Sequence, residues 1–359
     1  MTEASPQKLK NRPTQSTKRI SFVHVGLSKC MSTSLQNIWN LSENYDSFEG
    51  HQLSHLVDET IQLNQDHAAA LILQSQLTFD EPNTKPCSVF SSEGFSSLWY
   101  EGNPNKHCLW EIKQKTLPRL LARFSDRVLV VVRDPVEWIY SSYCQLVKEG
   151  SGIGLNDYLD KYSAVIRSVL NLENLFENWR GSNFDVVVLP LELARDNPEQ
   201  FWSLYESRLG VERPSGTDEM PQRNVTDQRF LRLNRQLNRL MDAIEEATFE
   251  PTADREEGDD MQAVQSAIDF YRTWCTRRAL EYGTPDQIRK IASLMGTSAG
   301  QTPIRKESFV VSEQLHQELT ENFVNHLRTA NGWEDLGALC DSYQDSLDSK
   351  KYSMKQKIA

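Results

Sequence analysis

A three-layer α/β fold, with a central parallel sheet and a mainly helical C-terminal elaboration, is what this sequence predicts. Three observations lead there. Short apolar runs fall at 20–25, 88–91, 128–132 and 186–189, each of a length suited to a strand covered on both faces. Helical patterns alternate with them, as in βαβ units joined by right-handed crossovers. Beyond about residue 226 the pattern turns helical.

Residues 1–19 carry Lys and Arg without an apolar stretch and read as a solvated lead-in without a secretory signal. The strand at 20–25 is followed by Leu35, Ile38 and Trp39 at helical spacing. The run at 128–132, all Val and Leu, precedes Val136, Ile139, Tyr140 and Tyr143, the apolar stripe of a second helix. Tyr158, Tyr162, Val165, Ile166 and Val169 form a longer stripe before the strand at 186–189. After it, Asn197-Pro198 reads as N-cap and first helical residue, Phe201, Leu204 and Tyr205 as the inward face, and Gly210 as the stop. The α/β core is thus expected over 20–225.

The region 226–345 is expected to be a helical elaboration on the acceptor side of the same domain. Phe230, Leu233, Leu237, Leu240 and Ile244 recur at three and four residues. Six acids against one Arg over 250–260 predict a surface loop. Helical patterns resume over 267–294 and 312–327, and 346–359 is expected to be a solvated tail.

Composition narrows the function. The 359 residues carry a formal charge of −11 with 38% hydrophobic content, an ordinary globular balance that argues against nucleic-acid or anionic-membrane binding. An anionic ligand must then be gripped by a few local groups. The longest strongly apolar runs, 68–73 and 128–132, are far short of the ~20 residues of a membrane span. Six scattered cysteines without a C-x-x-C pair suggest free thiols in a reducing cytoplasm. No metal site is predicted from the histidines.

The most informative stretch is Gly26-Leu-Ser-Lys29-Cys30-Met31-Ser32-Thr33-Ser34-Leu35-Gln36. A buried strand ends at Gly26, a loop carries a lysine, and hydroxyl residues open a helix. Free N–H groups, the helix dipole, hydroxyls and an ammonium converge at the carboxyl edge of the sheet, which is the physics of an anion site. A plain βα turn capped by Ser32 or Thr33 is the simpler reading. A triphosphatase loop would need a second glycine directly before the lysine and a metal-binding hydroxyl directly after it. Neither is present, which weakens a small-molecule kinase.

This stretch resembles the 5′-phosphosulfate loop of sulfotransferases that use 3′-phosphoadenosine-5′-phosphosulfate (PAPS), roughly G-x-P-K-[S/T]-G-T-T followed by S-L-Q in many bacterial members. Gly26, Lys29, Ser32, Thr33, Ser34, Leu35 and Gln36 match. Ser28 stands for the proline, Cys30 for the first hydroxyl and Met31 for the glycine. A backbone cradle then requires a negative φ at Met31. A second resemblance is the family's 3′-phosphate motif, an arginine at a strand end and a serine eight residues later. Arg133 and Ser141 have that spacing, with Pro135 suited to a first helical turn. Read locally, Arg133 would pair with Asp134 or Glu137. Weaker echoes are Leu189-Pro-Leu-Glu192-Leu, Gln222-Arg-Asn-Val-Thr226 and Asn331-Gly-Trp333.

The resemblance implies a P-loop-like fold and direct, metal-free sulfuryl transfer from PAPS to a hydroxyl or amine of a small-molecule acceptor. It places Lys29 on the leaving-group side. Cys30, Met31, Ser32, Thr33 and Ser34 would hold the 5′-phosphosulfate, and Arg133 and Ser141 the 3′-phosphate. Glu93, just after the second predicted strand, emerges at the same sheet edge and is a candidate base, or else a salt-bridge or capping residue. His51 and His55 are rival bases. His24 reads as a satisfied core residue, and the Cys30 thiol, at a helix N-terminus beside Lys29, is expected to have a lowered pKa. A non-catalytic phosphonucleotide-binding module is the alternative from another class.

Overall fold

The computed structural model describes residues 20–50, 53–54, 57–58, 84–96, 107–217, 231, 234–235, 238–239, 308–330, 333, 336–349 and 352–353. Five parallel strands form the central sheet: β1 (Phe22–Gly26), β2 (Tyr45–Glu49), β3 (Cys87–Ser92), β4 (Arg127–Val132) and β5 (Asp185–Pro190), in the order 2-3-1-4-5. The four predicted runs are β1, β3, β4 and β5, with no end shifted by more than two residues. β2 is an addition. Its sequence, YDSFE, is too polar to register as an apolar run, and it lies at the edge with only Tyr45 fully buried.

Helices cover both faces, completing the three layers. On one face lie α1 (Ser32–Leu41) and, after β5, α6 (Leu191–Asp196) and α7 (Pro198–Leu209). The Phe22 ring stands edge-on to Trp39 of α1 at 5.7 Å and to Tyr205 of α7 at 5.8 Å. Trp39 Nε1 also donates to the Tyr205 hydroxyl at 3.2 Å. On the other face are α2 (His107–Leu121), α3 (Pro135–Lys148), α4 (Leu155–Val169) and α5 (Leu172–Arg180), with α2 against α4 and α5, and α5 on β5. The caps anticipated for α7 are present: Asn197 accepts from Gln200 N, Pro198 follows it, and Gly210 ends the helix in the left-handed region.

The chain leaves β1 toward β2 at one edge of the sheet and leaves β4 toward β5 at the other. The switch point therefore lies at the carboxyl ends of β1 and β4, the position at which ligands bind in such sheets.

In the C-terminal region, residues 231, 234–235 and 238–239 are helical. The helix expected over 312–327 is present as α8 (Glu313–Leu319), a wide π turn (Thr320–Val324) and α9 (Asn325–Thr329). The helix α10 (Gly337–Asp348) packs on α3 and on the π turn. Of the expected tail, residues 346–348 belong to α10, and β7 (Tyr352–Ser353) pairs antiparallel with β6 (Ser308–Phe309). The acidic segment 250–260 and the helical stretch 267–294 lie outside the described residues. No helix among those described is long and apolar enough to cross a membrane.

Candidate functional site

The loop after β1 is shaped by three outward ties on its carbonyls. Ser96 Oγ donates to Gly26 O, Trp138 Nε1 donates to Ser28 O at 2.6 Å, and Arg133 Nη1 donates to Lys29 O at 3.4 Å. Within the loop, Cys30 N donates to Leu27 O at 3.0 Å. Lys29 and Met31 have φ of 66° and 67°, so two left-handed residues flank Cys30. Alternation of left- and right-handed backbone turns successive N–H groups toward one concavity. Helix α1 opens from Met31 with no side-chain cap and no acid in its first turn, which suits it to an anion. Neither Ser32 nor Thr33 acts as the cap that the simpler reading required.

Two expectations are corrected here. Met31 does not have a negative φ. It holds the left-handed conformation that a glycine would hold freely, at a cost of ~1–2 kcal/mol for an L side chain. A positive φ does not exclude a cradle of N–H groups, since left-handed turns also build such nests. Cys30 is fully buried, and desolvation pushes its thiol pKa up, outweighing the opposing pull of Arg133. It is an inert loop residue.

Helix α3 presents a stripe to this loop. Asp134 caps it, accepting from Val136 N at 2.8 Å and Glu137 N at 3.0 Å, with Pro135 in the first turn. Arg133 then folds onto Glu137, its Nη2 at 2.9 Å and Nε at 3.2 Å from Oε2. This is the local pairing the sequence allows, yet Nη1 still reaches the loop. Two turns further on, Lys29 Nζ donates to Gln145 Oε1 at 2.8 Å. Glu137, Ser141 and Gln145 are spaced by four, so Ser141 lies about 6 Å along the helix from each neighbour. Both predicted cations and the predicted serine therefore share one face of one helix.

Glu93 follows β3 in a short 3₁₀ turn (Glu93–Phe95) whose N-cap is Ser92. Its Oε1 accepts from the Thr33 hydroxyl at 2.6 Å, which joins it to the first turn of α1 and leaves it at the loop. Ser32 is buried beside Gly26, and its hydroxyl has no partner among the described residues. His24 is satisfied on one side only: Nδ1 lies 2.9 Å from Ser91 Oγ, and Nε2 has no partner among the described residues. Burial drives its pKa down to about 3, so the ring is neutral. His51 and His55 lie outside the described residues, as does the segment 222–226.

Sequence reasoning missed a buried acid cluster behind Arg133. Glu192, in the first turn of α6 just after β5, accepts from Asp134 N at 3.0 Å and from the Tyr343 hydroxyl of α10. Asp134 in turn accepts from Ser346 Oγ at 3.2 Å. Burial, with Glu137 and Glu192 nearby, raises the Asp134 pKa to about 6, and burial raises that of Glu192. The strand-end motif around Glu192 was the available signal. Its partner on α10 was not readable, being 151 residues away.

No protein-family model and no curated protein matches this chain. Among the described residues no group of His, Cys, Asp and Glu is arranged to hold a metal.

Proposed function

We propose that this chain is a sulfotransferase that moves the sulfuryl group of PAPS to a hydroxyl or amine of a small-molecule acceptor by direct in-line transfer. The observation that carries this is the junction of the two cation-bearing loops at the sheet's switch point. Arg133 touches the main chain of Lys29, and Ser141 lies on α3 midway between Glu137 and Gln145, the side chains that bond the two cations.

The residues fit such a donor at its anionic ends. The uncapped start of α1, the left-handed turns at Lys29 and Met31, and the unpartnered Ser32 hydroxyl suit the 5′-phosphosulfate. Arg133, held in plane by Glu137, presents Nη1 toward the loop and with Ser141 suits the 3′-phosphate. PAPS, when bound, supplies an activated sulfuryl group whose departure leaves negative charge on a phosphate. Lys29 stabilises that charge, at the place where it grows. Glu93, held by Thr33, takes the acceptor's proton. The acidic net charge favours a small acceptor over a polyanionic one. Cytoplasmic residence fits the buried free thiols Cys30, Cys87, Cys144 and Cys340.

A non-catalytic binding module is the second reading, favoured by Met31, whose side chain stands where the resemblance expects glycine. Calorimetric titration with adenosine 3′,5′-bisphosphate and with ATP–Mg²⁺, followed by a labelled-PAPS transfer assay over an acceptor panel, separates the readings. Binding of the bisphosphate alone, with turnover lost in Lys29→Ala, is the expected result. Preference for ATP–Mg²⁺ indicates a kinase, and binding without any turnover indicates a module.

A further inference from the structure

Helix α2 turns a polar face inward. Trp110, Lys113 and Gln114 are completely buried, whereas a helix on a sheet ordinarily buries apolar groups and leaves charge to solvent. All three serve the turn that carries Glu93. Trp110 Nε1 donates to Ser96 O at 3.2 Å, and Gln114 Nε2 donates to Phe95 O at 2.8 Å. Lys113 Nζ donates to Ser54 Oγ at 3.0 Å and pairs with Asp58 at 2.6 Å. Ser54 is wedged under the turn, so tightly that a Cβ on Gly94 would lie 2.4 Å from its hydroxyl oxygen. Ser96 closes the frame by donating to Gly26 O, the strand end from which the Lys29 loop springs.

A buried ammonium is a costly way to fill this space. Its desolvation costs several kcal/mol even when it is paired, and a packed apolar residue of similar volume often replaces such a group without loss of stability. Burial accordingly lowers the Lys113 pKa, with Asp58 opposing. Trp110 and Gln114 already satisfy the carbonyls of the turn, so the feature Lys113 adds is a fixed Ser54 beneath Gly94.

We infer that Lys113 is a positioning residue for Glu93: through Ser54 it sets where the carboxylate stands relative to Thr33 and the phosphate loop. This rests on the proposal that Glu93 is the base. Lys113 and Ser54 lie beneath the turn, and their effect passes through the geometry of residues 93–96.

The test compares Lys113→Met and Ser54→Ala, alone and in a Glu93→Gln background. The second variant removes the same link without altering a buried charge, and it stands in if the first does not fold. Misplacing a catalytic group should lower kcat by roughly tenfold or more, while the affinity for adenosine 3′,5′-bisphosphate is unchanged. Neither variant should lower kcat further once Glu93 is Gln. Amide hydrogen exchange across 93–96 should quicken in both. Full kcat in both variants, or a loss that multiplies with that of Glu93→Gln, overturns the inference while leaving the sulfotransferase reading intact. A wild-type protein that transfers nothing from PAPS removes that reading instead. Exchange across 93–96 then still decides the positioning role, and unchanged protection in both variants overturns it.

Discussion

Arg133 holds Glu137 with one edge of its guanidinium and the main-chain oxygen of Lys29 with Nη1, at 3.4 Å. One side chain thereby sets the distance between the strand end of β4 and the loop after β1. A lysine carries the same charge but is a single point donor and cannot hold both partners in one plane. Arg133→Ala and Arg133→Lys should both raise the donor KM and the bisphosphate Kd by tenfold or more, on the order of the 1.4 kcal/mol or greater expected of a charge-assisted bond. Calorimetry on Arg133→Lys is the decisive measurement, since wild-type affinity there would show that charge alone suffices.

Glu93→Gln keeps an acceptor oxygen for the Thr33 hydroxyl, now at 2.6 Å from the carboxylate, and removes the ability to take a proton. Transfer should fall by a factor of order 10² with donor affinity unaltered. Thr33→Val, which deletes the hydroxyl and keeps the shape, should lower kcat by a smaller factor. A loss below about tenfold in Glu93→Gln, small for general-base catalysis, would redirect attention to His51 and His55.

The sheet and the loops at its switch point were legible because local pattern dictates them. Four apolar runs and the capping residues of α7 report their own conformation, and the Lys29 and Arg133 motifs sit on fixed spacings after strands. What escaped was written in tertiary terms. The edge strand β2 is covered on too little of its surface to need an apolar run. Helix α2 hides its period because Lys113 and Gln114 point inward and Pro118 lies within it. Gln145 meets Lys29 across 116 residues, and Tyr343 meets Glu192 across 151, distances over which no sequence motif operates.

Stability should depend on pH with two opposing slopes. The His24 imidazole is neutral when folded, its pKa depressed to about 3 from 6.5 by burial. Between those values the unfolded chain binds a proton that the folded one does not. Stability is therefore lost as pH falls from 6.5 toward 3, by an amount on the order of 5 kcal/mol. Asp134 acts in the other sense, its pKa raised to about 6 from 3.8. The folded state keeps that proton longer, so stability declines as pH rises from about 4 to 6, by roughly 3 kcal/mol. Denaturant midpoints should change little between pH 4 and 6 in the wild type, fall with rising pH in His24→Asn, and rise with pH in Asp134→Asn, which retains a capping oxygen. Parallel curves for wild type and His24→Asn would show that another group governs the acid limb.

The junction of β1 with α1 depends on the lack of a side chain at Gly26. A Cβ there would lie 1.9 Å from Ser32 Oγ, 2.9 Å from Ser32 Cβ and 3.0 Å from His24 Cε1. The Ser32 hydroxyl can rotate about χ1, but its Cβ at 2.9 Å is fixed to the helix backbone, so Gly26→Ala must push α1 off the strand end. The expected cost is ~1–3 kcal/mol, as for overpacking elsewhere, and bisphosphate binding should weaken with it because the loop amides move. Ser32→Gly removes both near contacts for about 1 kcal/mol of helix propensity at most. In the double variant much of the Gly26→Ala cost should vanish, giving a coupling of ~1 kcal/mol or more, as for residues in direct contact. Additive losses in chemical denaturation would mean that the strand end and the helix start do not press on one another, and that the cradle is not built on this contact.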